Sequence, residues 1–515
     1  MTSTSHSATG RSALTWVCLI ALAGVGILSR LPQLLSRNLL LEGDECILGL
    51  MGMHLAQGRE FPVFFYGQKY GLAIVEAPAA ALSFLIAGAG PVSLKVAILA
   101  VWIVGMAFYF LAFSHVLGTA RSFWVTMLLV LMPAWAAASM KAWSGYVTAF
   151  TATAVVLYLI TRNSRRRSLS WLIAGAMTGI IYFSQPLWLP GLVPIVLYFL
   201  VTSGRRSVWL AYASGIAGVA SAIGALKVLW LADAVQTWIG PTAGNPHLLA
   251  SLPRLLNQLR VNLTGSYYFG DAVHTGAVTE TVAYVWLAIL GVAALLQIYR
   301  VIARKPVLWS HLLFLSVAST LAANWLLLDW RDARYVLAVN APLVFLAGIE
   351  FFDLADRYHV PFRRCIAAIC LALALEAVSM NEFAHYTYMW WTNSRNSPSE
   401  SRTLRKVIDH LRSRGVTHAF AMNALLQWPI TFYSREAVIA RWKADRDRYP
   451  PYIMEIDRAL DNGEPVAIVG YVGYTYGLEH KVRNPETIVN IDGKYFVYVG
   501  ADKDLLWKAG FAFPR

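Results

Sequence analysis

Long apolar runs separated by short polar breaks dominate the first three quarters of the chain. At least 11 such runs approach the length needed to cross a bilayer, roughly 20 residues each. They fall at about 14–33, 93–117, 122–139, 147–161, 170–187, 188–203, 208–232, 280–299, 307–328, 336–354 and 365–382. A further run, 72–90, is bounded by glycines and interrupted at its start by Glu76, and it reads as an interfacial or re-entrant segment. After residue 382 the pattern changes. SRTLRKVIDHLRSRG (401–415) has the spacing of an amphipathic helix, and YIMEIDRALDNG that of a second one. THAFAM, PVAIVGY and KYFVYVG read as short strands. The pattern predicts a polytopic α-helical membrane protein of about 11 spans, with a small α/β domain at its C-terminus. The two parts are a transmembrane region, 1–382, and a tail domain, 383–515.

Composition supports this class. Of the 515 residues 57% are hydrophobic and 14% charged, with mean hydropathy +0.52, against about 25% charged in soluble domains. The 19 Trp and 24 Tyr suit two membrane–water interfaces. A net charge of +14 is not a nucleic-acid signature here, because the basic residues lie in short clusters between apolar runs. TRNSRRRS (161–168), SGRRS (203–207), YRVIARK (299–305) and DRYHVPFRR (356–364) follow the positive-inside pattern. The first run ends in SRLPQLLSRN without a small-residue cleavage site, so it reads as a retained helix. Cys18, Cys46, Cys365 and Cys370 show no metal-binding or disulfide spacing.

With the N-terminus and all four basic clusters in the cytoplasm, four regions face outward: loop 34–92, the turn MKAWSGY (140–146), loop 233–279 and DWRDARY (329–335). The tail domain joins them. The outward loop 34–92 opens with LLLEGDE, where Asp44 and Glu45 begin an apolar helical stretch and gain from its dipole. A carboxylate at the edge of a low-dielectric slab can serve as a base toward a hydroxyl. Glu42 is expected to remain solvated. Arg331, Arg334 and Lys141 stand on the outer face against the charge rule. A lipid phosphate accounts for such cations, and pairing with Asp329 or Asp332 is the alternative. No paired halves of the kind that build repeat transporters are visible.

LEGDE, LMGMHLAQGREFPVFFYGQKYG, VEAP, AWSGYV and DARYVLAVNAPLVFLAGI together resemble the membrane region of the GT-C glycosyltransferases. The likeness is to the branch related to protein O-mannosyltransferases and lipid A aminoarabinose transferases (glycosyltransferase family 39-like). That resemblance implies a multi-pass inner (plasma) membrane enzyme of a bacterium, with its tail outside the cytoplasm. It implies a polyprenyl-phosphate-linked sugar donor and a lipid, glycan or protein acceptor bearing a hydroxyl. Carried over, Asp44, with Glu45 beside it, is the catalytic base. Arg334 is placed near the donor phosphate, with Lys69, Lys141 and Arg331 as further phosphate contacts. Glu76, Tyr66, Gln68, Tyr70, Tyr146 and Tyr335 are expected in the substrate pocket. Relatives carry Glu followed by Lys-Pro-Pro where this chain has Glu76-Ala-Pro, so the basic residue is missing here. Some relatives use a divalent metal ion, for which His274 is the candidate ligand. The competing readings are a non-enzymatic transporter of lipid-linked glycans and a ligase of lipid-linked polymers.

Overall fold

The computed structural model describes residues 5–36, 39, 41–68, 70–162, 167–230, 251–265, 267–268, 271–272, 276–305, 309–327, 332–386, 400–445, 447–474, 477–482 and 487–513. Among them, seven helices are long and apolar enough to cross a membrane. They are Pro91–Leu117, Pro186–Ser203, Arg206–Leu226, Ala277–Ile302, Trp309–Leu327, Ala333–Arg357 and Phe362–Glu382. Shorter apolar helices occupy Ala13–Leu28, Glu76–Ala87, Thr119–Leu131, Tyr146–Thr161 and Ser168–Ser184. The chain is thus a multi-pass α-helical membrane protein. At 12 residues, Glu76–Ala87 reaches only about 18 Å, well short of a ~30 Å hydrocarbon core. Its length therefore suits a segment that does not cross.

Two differences from the sequence pattern have local causes. The run 122–139 is not one helix: Thr119–Leu131 stops before Pro133, and a short helix, Ala134–Ala138, follows. Proline removes a backbone donor and clashes with the preceding turn. The carbonyls freed at this break are met by Arg30, fully buried, which donates to Val130 O at 2.8 Å and Trp135 O at 3.0 Å. Loop 233–279 contains an amphipathic helix, Leu252–Thr264, whose buried Gln258 donates to Asp332 O.

The C-terminal part, after helix Phe362–Tyr386, is built on a five-stranded mixed sheet. Its order is Ile439–Arg441, His418–Ala421, Val466–Tyr471, Tyr495–Val499, Val489–Ile491. The first three strands are parallel and the last two antiparallel. Helices Glu400–Ser413 and Pro450–Asp461 match the two amphipathic segments. The two edge strands and helix Gln427–Tyr433 are too short to leave a periodic signal.

This domain sits on the helix Gly43–Ala56 that follows LLLE. That helix is buried on nearly all sides, as its uniformly apolar sequence requires. Helix Glu76–Ala87 packs on one face, with Gly52 against Ala80. Helix Gln427–Tyr433 packs on another, where a Cβ at Gly49 would lie 2.4 Å from the Phe432 ring. The Tyr433 hydroxyl accepts from Leu41 N at 3.0 Å and donates to Leu39 O at 3.2 Å. Loop 34–92 and the tail domain therefore share one face of the molecule.

Candidate functional site

Helix Gly43–Ala56 begins with a capping box: Glu42 is the N-cap, and its backbone N–H donates to Glu45 at 3.3 Å. This fixes three carboxylates in three directions. Glu45 turns inward and is fully buried. It accepts from Lys95, from Lys141 at 3.4 Å and from Ala142 N at 3.3 Å. Burial alone would push its carboxyl up, but Lys141 and Lys95 outweigh that and hold it below its usual value.

Glu42 is not solvated. It is buried, accepts from the Trp143 indole and lies 3.3 Å from Lys141. Burial pushes its carboxyl up, opposed by Lys141. Lys141 therefore does not stand open to a donor phosphate. Its charge is matched internally by Glu45 and by Glu42, the latter expected from the sequence to be solvated.

Asp44 turns outward, 17% exposed, and meets Arg448 of the tail domain at 3.1 Å. Around it lie side chains from distant parts of the chain. Tyr70 has Tyr335, Arg448, Arg334 and Asp44 as its charged and phenolic neighbours. Tyr146 has Arg334, Tyr335, Asp332 and Tyr70. Arg334 lies in the 3-10 turn Ala333–Val339, whose N-cap Asp332 accepts from Arg334 N at 3.0 Å and faces its Nε at 3.2 Å. The pairing with Asp332 weighed from sequence is thus present. It engages the inner edge of the guanidinium and leaves the terminal nitrogens without a hydrogen-bond partner among the described residues. The guanidinium carbon stands 5.4 Å from the Trp143 ring centroid and 5.6 Å from that of Tyr335.

The other expected pocket residues divide. Glu76 is fully buried and accepts from Gly145 N, Thr148 N and the Thr148 hydroxyl at 2.9–3.1 Å. Through one oxygen it accepts the first donors of helix Tyr146–Thr161 and holds the AWSGY turn in place. Gln68 lies in the same loop, its backbone N–H closing a turn onto Phe65 O at 3.0 Å. Tyr66 points away from Asp44 into a polar junction with the tail domain. Lys69, Arg331 and His274 lie outside the described residues. Among the described residues, no three His, Cys, Asp or Glu side chains gather as a metal-ligand set.

At the Tyr66 junction, buried His54 is bracketed by carboxylates. Its Nδ1 is 3.1 Å from Glu60 and 2.8 Å from the Tyr66 hydroxyl. Its Nε2 is 3.0 Å from Glu436 and 3.1 Å from the Tyr452 hydroxyl. Arg59 adds a bond to Glu436 at 2.8 Å, and Tyr449 stacks on Tyr66 at 4.7 Å. Burial alone would lower the His54 pKa, but Glu436 and Glu60 outweigh it and raise it. Burial likewise opposes the Glu436 charge, yet bonds from His54, Arg59 and Tyr452 bring its pKa to about 2. The stabilisation from a raised histidine is complete below its ordinary value of 6.5 and fades as pH climbs through the raised one. That from Glu436 is complete above 4.5 and fades as pH falls toward 2. Domain docking should therefore be firmest between those limits and loosen in alkali. Hydrogen exchange in Pro450–Asp461, corrected for intrinsic rates, is expected to speed up from about pH 6 to about pH 9. His54→Gln should abolish that difference, and a difference that persisted in the variant would refute the assignment.

Near the Asp44–Arg334 site is a small apolar cavity, lined by Tyr109, Phe113, Leu192, Ile195 and Leu313 among others. Trp188 joins the two: it lines the cavity and its ring meets Tyr146 edge-on at 5.8 Å. Ala338 and Pro342, from the segment that carries Arg334, line it as well. Trp188 and the segment after Arg334 thus connect the polar group to the apolar cavity by packing.

No family model matches the sequence, and no curated protein matches it. Solved structures do match. ArnT from Cupriavidus metallidurans bound to undecaprenyl phosphate aligns over 97% of this chain and 99% of its own, at 13% identity and TM-score 0.61. The apo state of that ArnT covers 99% and 100%, at 12% identity and TM-score 0.48. The oligosaccharyltransferase AglB of Archaeoglobus fulgidus, in complex with an inhibitory peptide and a dolichol-phosphate, covers 91% of this chain and 70% of its own, at 12% identity and TM-score 0.46. On the whole-chain superposition with ArnT, this membrane protein has the fold of the GT-C glycosyltransferases.

Proposed function

We propose that this protein is a glycosyltransferase that takes a sugar from a polyprenyl-phosphate donor and passes it to a hydroxyl-bearing acceptor at the outer membrane face. One observation carries the reading: Asp44 and Arg334, from opposite ends of the membrane region, are brought into each other's electrostatic surroundings around Tyr70 and Tyr335. The apolar surface around Trp188 suits contact with a prenyl chain, and the charged and phenolic group around Tyr70 a phosphate-linked sugar. That ArnT with the same fold was solved with undecaprenyl phosphate supports this chemistry.

The reaction divides between the two charges. Asp44 accepts the proton of the acceptor hydroxyl as its oxygen bonds to the sugar C1. The bond from C1 to the phosphate oxygen breaks, and its electron pair leaves with the lipid phosphate. Negative charge grows on that phosphate as it departs, and Arg334 is the preorganised cation for it. In-line attack places base and phosphate on opposite faces of the sugar, which requires the two groups to come from different elements.

Arg334→Ala should weaken binding of undecaprenyl phosphate roughly 10- to 100-fold, the range for a hydrogen bond to a charged group, with Arg334→Lys intermediate because it cannot form the planar fork. Unaltered affinity in a folded Arg334→Ala protein would remove the phosphate from this cleft.

A further inference from the structure

The tail domain contributes a residue to the cleft that no periodicity in the sequence marks. Arg448 lies two residues before helix Pro450–Asp461, and its guanidinium reaches Asp44 at 3.1 Å. Its backbone is fixed from three sides. Asp447 accepts from Arg448 N at 2.6 Å and from Gln427 at 3.1 Å. The neighbouring Tyr449 stacks on Tyr66. Gly67, at φ +70°, lets the outer loop lie so close to the Arg448 stem that a Cβ there would come within 2.8 Å of it. The side chain as a whole is 20% exposed, and its guanidinium stands 5.5 Å from the Phe65 ring centroid and shares the surroundings of Tyr70 with Arg334. A fixed stem with an accessible guanidinium can change partners by side-chain rotation alone, without domain movement.

The pairing with Asp44 matters for the chemistry. A carboxylate engaged by a guanidinium is a poor acceptor for a hydroxyl proton, and its charge repels an incoming phosphate. An anion that draws Arg448 to itself beside Arg334 would free the carboxylate as a base, because planar guanidinium groups match phosphate oxygens.

We propose that Arg448 is a positioning residue delivered by the tail domain: it holds Asp44 in the unliganded cleft and turns to the donor phosphate when the lipid-linked sugar binds, releasing the base. The inference rests on the reading of the cleft as a donor site, and it makes donor binding a precondition for activating the acceptor.

A double-mutant cycle on the full-length protein in detergent micelles, with equilibrium binding of radiolabelled undecaprenyl phosphate as readout, tests it. Arg448→Ala is expected to weaken binding about 10-fold or more, with partial recovery in Arg448→Lys. Asp44→Asn is expected to tighten binding several-fold, because it frees Arg448 as well as removing a negative charge. In an Arg448→Ala or Arg448→Gln background most of that gain should vanish. An equal gain with and without Arg448, or unchanged binding in both Arg448 variants, would overturn the exchange while leaving the donor site intact. Absence of binding by the unmodified protein would overturn the donor site and this inference together.

Discussion

Asp44→Asn is expected to lower sugar transfer by roughly 10²- to 10⁴-fold, the usual contribution of a positioned base, while the folded protein is recovered in normal yield. The substitution keeps size and hydrogen-bonding oxygen but removes the capacity to accept a proton at neutral pH. Stability should change little. Asp44 is partly exposed and its ion pair with Arg448 is open to water, and pairs of that kind are worth about 0–1 kcal/mol. The loss should appear in kcat rather than in donor affinity, since the carboxylate acts on the acceptor. A folded Asp44→Asn protein with near-normal turnover would move the base elsewhere.

Its immediate neighbour should behave in the opposite way. Glu45→Ala is expected to destabilise the protein by about 3–5 kcal/mol, the range for removing one partner of a buried ion pair. Lys95 and Lys141 are both buried, and Glu45 lies between them. Without it, two ammonium groups face the single carboxylate of Glu42, which is itself committed to Trp143. The Glu45 side chain also closes the capping box of the helix that presents Asp44, so the damage should spread to the catalytic turn. A lowered midpoint of thermal unfolding and poor recovery from membranes are the expected readouts. A Glu45→Ala protein as stable as the parent would show that the lysine cluster does not hold the outer loop.

The contrast between these two residues shows what the sequence can reveal. That LLLEGDE begins a helix is legible, because carboxylates at a first turn before an apolar run have a simple electrostatic reason. Which carboxylate faces out is not, because it depends on Lys95 and Lys141, 50 and 96 residues further along. Arg334 could be singled out because a cation on the outer face opposes the charge rule. Glu76 drew notice for the same kind of reason, an ionisable group in an apolar run. Here its burial serves a helix terminus, a backbone need that no hydropathy pattern distinguishes from a substrate contact. His54 left a trace, as the one histidine in the otherwise apolar body of helix Gly43–Ala56. Arg448 left none: DRYPPY reads as an ordinary polar loop until the tail domain is set on the helix Gly43–Ala56. The helical membrane region was therefore readable from composition and spacing, whereas the site depends on convergence of loops that only the fold supplies.

The central claim is that donor phosphate and catalytic carboxylate meet in this one cleft. Its most direct test is consumption of radiolabelled polyprenyl-phosphate sugars by the purified full chain, with Asp44→Asn assayed beside it. The account predicts release of polyprenyl phosphate from at least one such donor by the unmodified protein, and near-complete loss of that release in the variant despite retained donor binding. Well-folded protein that consumes no donor of this class, or a variant that consumes it as fast as the parent, would contradict it.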